Sequence, residues 1–246
     1  MTRRIVSGLL VTTVLLGAWQ ALVTLASLPP FILPGPVRVA TALWDNAALI
    51  AWHAGVTFTE VLAGLVLGSL LGAATALQMA VSPTARKVVR PVLVLTQALP
   101  VFALAPILTL WLGYGIWSKI LMAVLIIYFP VASSFHDGLM GTPRGWLDLA
   151  KSMQATPRQV LWRIRVPAAL PSLASGLRLA AVYAPIGAII GEWVGASQGL
   201  GYLMLLANGR AKIDLMFAAL AVLAVLTLAL HSVVGAGCDR LSARVR

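Results

Sequence analysis

Six long apolar stretches constrain the fold of this chain more than any other feature. Each is long enough to cross about 30 Å of hydrocarbon as a helix. Only 10% of the 246 residues are charged and 60% are hydrophobic, whereas roughly a quarter of a soluble domain is charged. The sequence therefore predicts an all-α membrane protein with six transmembrane helices, placed at residues 5–25, 57–81, 88–112, 117–135, 170–194 and 215–235.

The first stretch has two interpretations. Arg3 and Arg4 precede it, as basic residues precede the apolar part of a signal peptide. Its apolar run is long, however, and no cleavage site with small residues stands out. We expect a retained span.

The basic residues lie mainly on one side of the predicted spans. With the N-terminus inside, 13 of the 18 basic residues fall in cytoplasmic segments or span edges and four fall in outer segments. This bias predicts that both termini are cytoplasmic. It also accounts for most of the net charge of +11 by topology, so we expect no nucleic-acid partner.

Three prolines interrupt the third predicted span. Pro91, Pro100 and Pro106 each lack the backbone N–H that a helix interior uses. Gln97 is a polar residue just before Pro100. Freed carbonyls are tolerated where a helix is buried in protein or lines a wet cavity. The pattern predicts a kink at Pro100, which either lines a pathway or serves packing alone.

Charged residues in or beside the spans are further candidates, because charge in a bilayer is costly. Glu60 and Glu192 are predicted at the outer ends of spans two and five, either at the mouth of a pathway or as anchors that reach the interface. Arg178, inside span five, is expected to reach back to the cytoplasm. No basic residue is predicted beside the two carboxylates, so this entrance would repel anions. The candidate pathway residues are Glu60, Gln97, Pro100, Tyr183 and Glu192.

No enzyme or metal site is predicted. The three histidines lie in different segments, and Cys238 is the only cysteine, so no Cys-based metal site is expected. The phosphate-binding pattern G-x-x-x-x-G-K-[ST] does not occur. If the protein uses ATP, another chain must hydrolyse it.

A charged, proline-containing loop at about 137–169 separates spans four and five. Thr142–Pro143 and Thr156–Pro157 each resemble a helix start, with a hydroxyl cap followed by proline in the first turn. The loop is therefore predicted to form two short helices joined by a turn around residues 154–156. Each would have an apolar side, formed by Leu147, Ala150, Met153, Leu161 and Ile164.

The loop resembles a motif of the permease subunits of binding-protein-dependent ABC importers. That motif reads E-A-A, three residues, G, nine residues, I-x-L-P. The residues at its positions are Asp148, Leu149 and Ala150, then Gln154, then Ile164, Val166 and Pro167. Gln154 stands at the usual glycine. If that position has a positive φ, glutamine there costs about 1 kcal/mol.

The resemblance implies a type I importer fold with one permease domain over residues 1–246, in a bacterial cytoplasmic (inner) membrane. It implies two cytoplasmic ATPase subunits that bind ATP and Mg, and an extracytoplasmic solute-binding protein. It also implies that the loop is a coupling helix that docks on the ATPase. The residues assigned to coupling are Asp148, Leu149, Ala150, Met153, Gln154, Ala155, Ile164 and Pro167. Since one chain supplies one loop for two ATPases, we expect a homodimer surrounded by lipid.

Three further stretches resemble the nitrate/sulfonate/taurine group of these permeases: PVFALAPILTLWLGYGIWSK, VPAALPSLASGLRLA and GEWVGASQGLGYLM. The last of these, with ANGRAKIDLMFAAL, is similar to permeases for pyrimidine precursors of thiamine. The expected solute is a hydroxymethylpyrimidine-type precursor, and the alternative is an aliphatic sulfonate, taurine or nitrate. Outside the class, an ion-coupled secondary transporter would predict internal repeats and ionisable relays near the membrane midplane.

Overall fold

The computed structural model describes the backbone of residues 2–243 and the side chains of residues 10–243, and all regular structure in this range is helical. The helices are α1 Thr2–Leu25, α2 Pro36–Asp45, α3 Ala47–Val81, α4 Pro83–Ala98, α5 Val101–Leu112, α6 Ile116–Met140, α7 Arg144–Ser152, α8 Pro157–Val160, α9 Val166–Gly195, α10 Leu200–Gly209 and α11 Ile213–Ala243. A π-helical turn, Leu161–Arg165, joins α8 to α9.

Four helices in the described range are long and apolar enough to cross a membrane: α3, α6, the continuous segment Pro157–Gly195, and α11. The bent pair of α4 and α5 is a fifth candidate. Helix α1 covers the first predicted span, and its described apolar part is Leu10–Leu25. The all-helical membrane fold is confirmed, and the count of six spans stays a prediction.

The third predicted span is a broken helix. Helices α4 and α5 meet at an angle of 100°, so the predicted kink at Pro100 is a full break, and a single span over 88–112 stays a prediction. Pro100 has no N–H for the carbonyl of Thr96, and it disfavours helical backbone in the residue before it. Leu99 is accordingly extended, with φ −80° and ψ 125°.

One compact unit comprises Thr57–Ser197 and Val225–Arg246, described up to residue 243. Its main core joins α3, α6, α9 and α11 through buried Val61, Ile127, Ala184 and Leu230. Three glycines of α3, Gly64, Gly68 and Gly72, pack on α6. A Cβ added at Gly64 would lie 2.5 Å from Ala123 Cβ, so only glycine permits this approach.

The other compact unit comprises Met1–Val56 and Gln198–Ala224, described from residue 2. The rings of Trp19 and Phe217 lie 6.0 Å apart between centroids. His53 is buried, and its Nδ1 accepts a hydrogen bond of 2.9 Å from the backbone N–H of Gly199. His53 thus fixes the turn before α10.

The loop between spans four and five contains one separate short helix. Helix α7 is confirmed, but the second predicted short helix continues into the fifth span as the segment Pro157–Gly195. Pro167 has no N–H for the carbonyl of Arg163, four residues earlier. In the π turn each backbone hydrogen bond spans five residues, one more than in an α-helix. The N–H of Val166, for example, donates to the carbonyl of Leu161. The helix therefore widens and does not end.

The two predicted helix starts in this loop differ. The Thr156 hydroxyl oxygen accepts a hydrogen bond from the N–H of Gln159, and the Gln159 side-chain oxygen accepts one from the N–H of Thr156. This reciprocal pair is a capping box, so the predicted helix start at Thr156 is confirmed. Thr142 is not a cap. Its Oγ1 donates to the carbonyl of Leu139, because α6 extends to Met140 and leaves that carbonyl without a helical partner.

Arg178 was expected to reach back to the cytoplasm. Its Nη2 donates to Asp239 Oδ1 at 2.6 Å. Asp239 is exposed near the C-terminal end of α11, so the reach toward the cytoplasm stays a prediction. The pair joins α9 to α11.

Candidate functional site

Helix α7 carries an exposed apolar surface. Trp146, Leu149 and Met153 are 52%, 62% and 74% exposed, and their spacing of three and four residues places them on one side of the helix. Ala150, buried at 4% exposure, holds the helix on the rest of the chain. Contiguous exposed apolar side chains of this kind mark an interaction surface.

Gln154 ends α7 in the left-handed conformation. Its φ is +55°, as expected if its position in the motif requires a positive φ. The N–H of Ala155 donates to the carbonyl of Ala150, and the N–H of Gln154 donates to that of Lys151. These two bonds form a Schellman motif, in which the left-handed residue is usually glycine. The turn is therefore kept despite the substitution.

The structure brings most of the predicted coupling residues together. A cavity of about 560 Å³ is lined by Leu149, Ala150 and Met153 from the α7 segment and by Ile164 and Pro167 from the following helix. Asp148 is exposed on α7. Gln154 forms the turn, and Ala155 lines a different cavity. The apolar surface of α7 is thus continuous with the base of the fifth span.

A second site contains the two candidate glutamates, which are buried together. Glu60 and Glu192 are 2% and 1% exposed, on α3 and α9. Glu60 lies more than three turns into α3, because the helix begins at Ala47 and not near residue 57 as predicted. The two carboxyl groups are within hydrogen-bonding reach, and Thr57 Oγ1 donates to Glu192 Oε1 at 2.6 Å. A hydrogen bond between two carboxyl groups requires that one holds a proton.

Lys119 completes this cluster, and sequence reasoning missed it. The side chain is 4% exposed, and its Nζ donates to the carbonyls of Tyr114 and Gly115 at 2.6 and 2.9 Å. It interacts electrostatically with both glutamates. The prediction that no basic residue lies beside them is wrong, so the inference that this site repels anions loses its basis. A usable signal was the position of Lys119 beside a long apolar run, where a lysine needs partners.

The remaining pathway candidates lie apart from the glutamates. Gln97 and Pro100 flank the break between α4 and α5 and are exposed. Tyr183 is 40% exposed on α9, nine residues before Glu192. Within the described residues, no group of three or more His, Cys, Asp or Glu side chains could hold a metal ion.

Comparison with known proteins identifies the class. Residues 64–246 match the family described as binding-protein-dependent transport system inner membrane component. The chain belongs to this family. It is therefore a multi-pass permease subunit of the inner membrane, and its partner classes are a solute-binding protein and an ATPase. ATP hydrolysis resides on the ATPase subunit, so this permease is not itself an enzyme.

Several relatives of this permease carry informative names. A probable ABC transporter permease protein of Haemophilus influenzae is 51% identical over 94% of each chain. The formylaminopyrimidine transport permease of Halalkalibacterium halodurans is 42% identical over 70% of each. The taurine transport permease of Escherichia coli is 30% identical, over 94% of this chain and 86% of the relative. The predicted nitrate/sulfonate/taurine group is confirmed.

The fold is similar to that of a solved importer. The inward-facing MetNI methionine ABC transporter matches with a TM-score of 0.60 at 20% identity, covering 87% of this chain and 99% of the other. The predicted type I importer fold of the permease is confirmed.

Proposed function

We propose that this permease imports a hydroxymethylpyrimidine-type or formylaminopyrimidine-type precursor of thiamine. The observation that carries the proposal is the 42% identity to the formylaminopyrimidine permease, against 30% to the taurine permease. Charge at the buried cluster no longer contributes, since Lys119 lies beside the two glutamates. The proposal therefore rests on relatedness.

Uptake by cells tests the substrate. The permease would be expressed with its own ATPase and binding protein in cells that lack pyrimidine import. We expect uptake of labelled formylaminopyrimidine, with no competition from excess taurine. Uptake of labelled taurine that formylaminopyrimidine does not inhibit would refute the proposal and favour the sulfonate alternative. A strain without the permease is the control.

We also propose that α7 is the coupling helix and docks on the ATPase. The support is the exposed side formed by Trp146, Leu149 and Met153 above the buried Ala150. This apolar surface lies on a nine-residue helix outside the candidate spans of the described residues, and its side chains are left exposed. Asp148, Gln154 and Ala155 complete the proposed contact, and ATP-driven closure of the ATPase pair would move the helix.

A charge placed on that surface tests docking. Leu149→Glu should abolish ATP-dependent uptake and release the ATPase during purification, because a carboxylate would be buried in the apolar contact. The matched control is Arg144→Glu, which places the same group on another side of α7 at its first residue. Normal ATPase retention in Leu149→Glu would contradict the assignment.

We propose a homodimer with cytoplasmic termini, each protomer being one permease domain over residues 1–246. The uneven distribution of basic residues supports the orientation. The need for one coupling loop per ATPase supports the dimer. The mass of the intact complex would refute the homodimer if two different permease chains were present. A protease-accessible tag at the C-terminus, cleaved in intact spheroplasts, would refute the orientation.

Glu60, Gln97, Pro100, Tyr183 and Glu192 remain our proposed pathway residues. Gln97 and Tyr183 are exposed. Their exposure supports a pathway role for these two residues, because pathway side chains must reach the solute. Gln97→Ala and Tyr183→Phe should raise the solute concentration needed for half-maximal uptake at saturating binding protein. Unchanged uptake in both variants would remove these residues from the pathway.

A further inference from the structure

A basic cavity lies on the side of α7 away from the proposed ATPase contact. Its volume is about 660 Å³, and its lining includes apolar Ala80, Val81 and Leu147 together with Lys151, Arg158 and Arg165. Leu147 and Lys151 are one helical turn apart on α7, about half a turn around the helix from Leu149. The α7 segment thus presents one side to this cavity and another to the apolar surface described above.

The positive charge of this cavity is not compensated. No aspartate or glutamate lines it. In the described part of the chain, the two ion pairs are His136–Asp137 and Arg178–Asp239, and neither involves the cavity. Arg165 also has a buried Nε without a hydrogen-bond partner among the described residues. Three cations around one cavity favour an anion, and a buried unpaired guanidinium N–H favours a hydrogen-bond acceptor.

The position of the cavity indicates where that anion comes from. Val81 is the last residue of α3, and Pro157 begins the helical segment that includes the fifth span. The cavity therefore lies where two helices long enough to cross a membrane end, and the ends of such helices are the part of the fold nearest to lipid headgroups. Its apolar part fits the first methylenes of an acyl chain, and its cations fit a phosphate.

We propose that this cavity binds one anionic phospholipid. The headgroup phosphate contacts Arg158, Arg165 and Lys151, and an acyl chain lies along Ala80 and Val81. Basic pockets between membrane helices bind anionic headgroups in this way. An acidic segment of the ATPase is the competing occupant. The lipid is favoured because the cavity is mostly apolar and is bounded by the end of α3.

Lipid retention tests this site. The purified permease with its ATPase would be exchanged into detergent containing either phosphatidylglycerol or phosphatidylcholine, and bound lipid counted by native mass spectrometry. We expect one retained phosphatidylglycerol per permease and no retained phosphatidylcholine. Equal retention of both lipids would overturn the proposal, as would no retention of phosphatidylglycerol.

Variants locate the lipid. Each basic residue near a membrane surface contributes about 1 kcal/mol to the binding of an anionic lipid, which is a factor of roughly five in affinity. The double variant Arg158→Gln with Arg165→Gln should therefore weaken lipid retention about 25-fold. The matched control is Lys87→Gln with Arg90→Gln, which removes two basic residues from another apolar cavity. An equal loss in the control would show general surface attraction and overturn the site. Arg165 is half-buried, so its replacement could also disturb folding. The single variant Arg158→Gln, at an exposed residue, is therefore measured as well, and its lipid retention should fall about fivefold.

Two further outcomes identify other occupants. Displacement of the lipid by millimolar glycerol phosphate would show a soluble-phosphate site and overturn the lipid assignment. Loss of the ATPase from Arg158→Gln with unchanged lipid retention would assign the cavity to the ATPase. Retained ATPase with lost lipid is the expected result.

Discussion

Removal of the Lys119 ammonium group is the sharpest test of the buried cluster. We expect Glu60 and Glu192, two carboxyl groups buried together, to share one proton, which leaves a single negative charge for Lys119 to neutralise. All three side chains are at most 4% exposed. Lys119→Met would leave that charge unbalanced and would break the bonds to the carbonyls of Tyr114 and Gly115. Breaking a buried pair by removing one partner costs about 3–5 kcal/mol.

The assay is unfolding of the purified permease in detergent, with Lys119→Met compared to Lys87→Met. Lys87 is exposed on α4, so the same chemical change there should alter the unfolding free energy by less than about 0.5 kcal/mol. Glu60→Gln should also be mild, because the amide replaces the carboxyl group that carries the shared proton.

Charge counting makes a further distinction. In the double variant Lys119→Met with Glu60→Gln, the buried cluster carries no charge once Glu192 holds a proton. The loss of unfolding free energy should therefore be smaller, by about 1–3 kcal/mol, than the sum of the losses in the two single variants. Glu60→Gln combined with Glu192→Gln leaves the lysine unbalanced and should be strongly destabilising. Additive effects in the first pair would refute the shared-proton arrangement, as would a Glu60→Gln variant as unstable as Lys119→Met.

Four other substitutions test packing, turns and capping. In Gly187→Ala the new Cβ would lie 2.5 Å from Ala123 Cα, so thermal unfolding should show that the unfolding free energy falls by about 1–3 kcal/mol. In Gly235→Ala the new Cβ would have nothing within 4 Å, so the unfolding free energy should rise by up to about 1 kcal/mol. Gln154→Gly should stabilise the permease by about 1 kcal/mol by relieving the positive φ, and an unchanged unfolding midpoint would contradict this. Thr156→Ala should cost about 0.5–2 kcal/mol through the lost cap, seen as faster proteolysis of the loop.

The sequence was sufficient to predict an all-helical membrane fold, because the backbone hydrogen bonds of a segment inside hydrocarbon can be satisfied only in a helix or a closed β-barrel. It was not sufficient for the third span. Proline marks a break, but the 100° angle depends on what packs on each half. The short helices α2 and α10 were not predicted, since neither is long enough to stand out by hydropathy.

The candidate sites show a similar limit. Motif spacing led to the left-handed turn at Gln154, because a glycine position carries conformational information. Ala150 and Met153 were placed together on one apolar side, but Ala150 is buried and Met153 is exposed, because apolar character alone does not say which residue its own chain covers. Lys119 was assigned to an outer segment, because its partners Glu60 and Glu192 lie 59 and 73 residues away in sequence.

The continuous helical segment Pro157–Gly195 links the base of the α7 loop to the buried glutamates. Its 39 residues span about 58 Å at 1.5 Å per residue. Cβ atoms added at Gly176 and Gly187 would lie 2.9 Å from the carbonyl oxygen of Pro130 and 2.5 Å from Ala123 Cα, so the segment is in backbone contact with α6 over about three turns. We expect the segment and α6 to move as one body, so that a displacement at Pro157 is carried to Glu192.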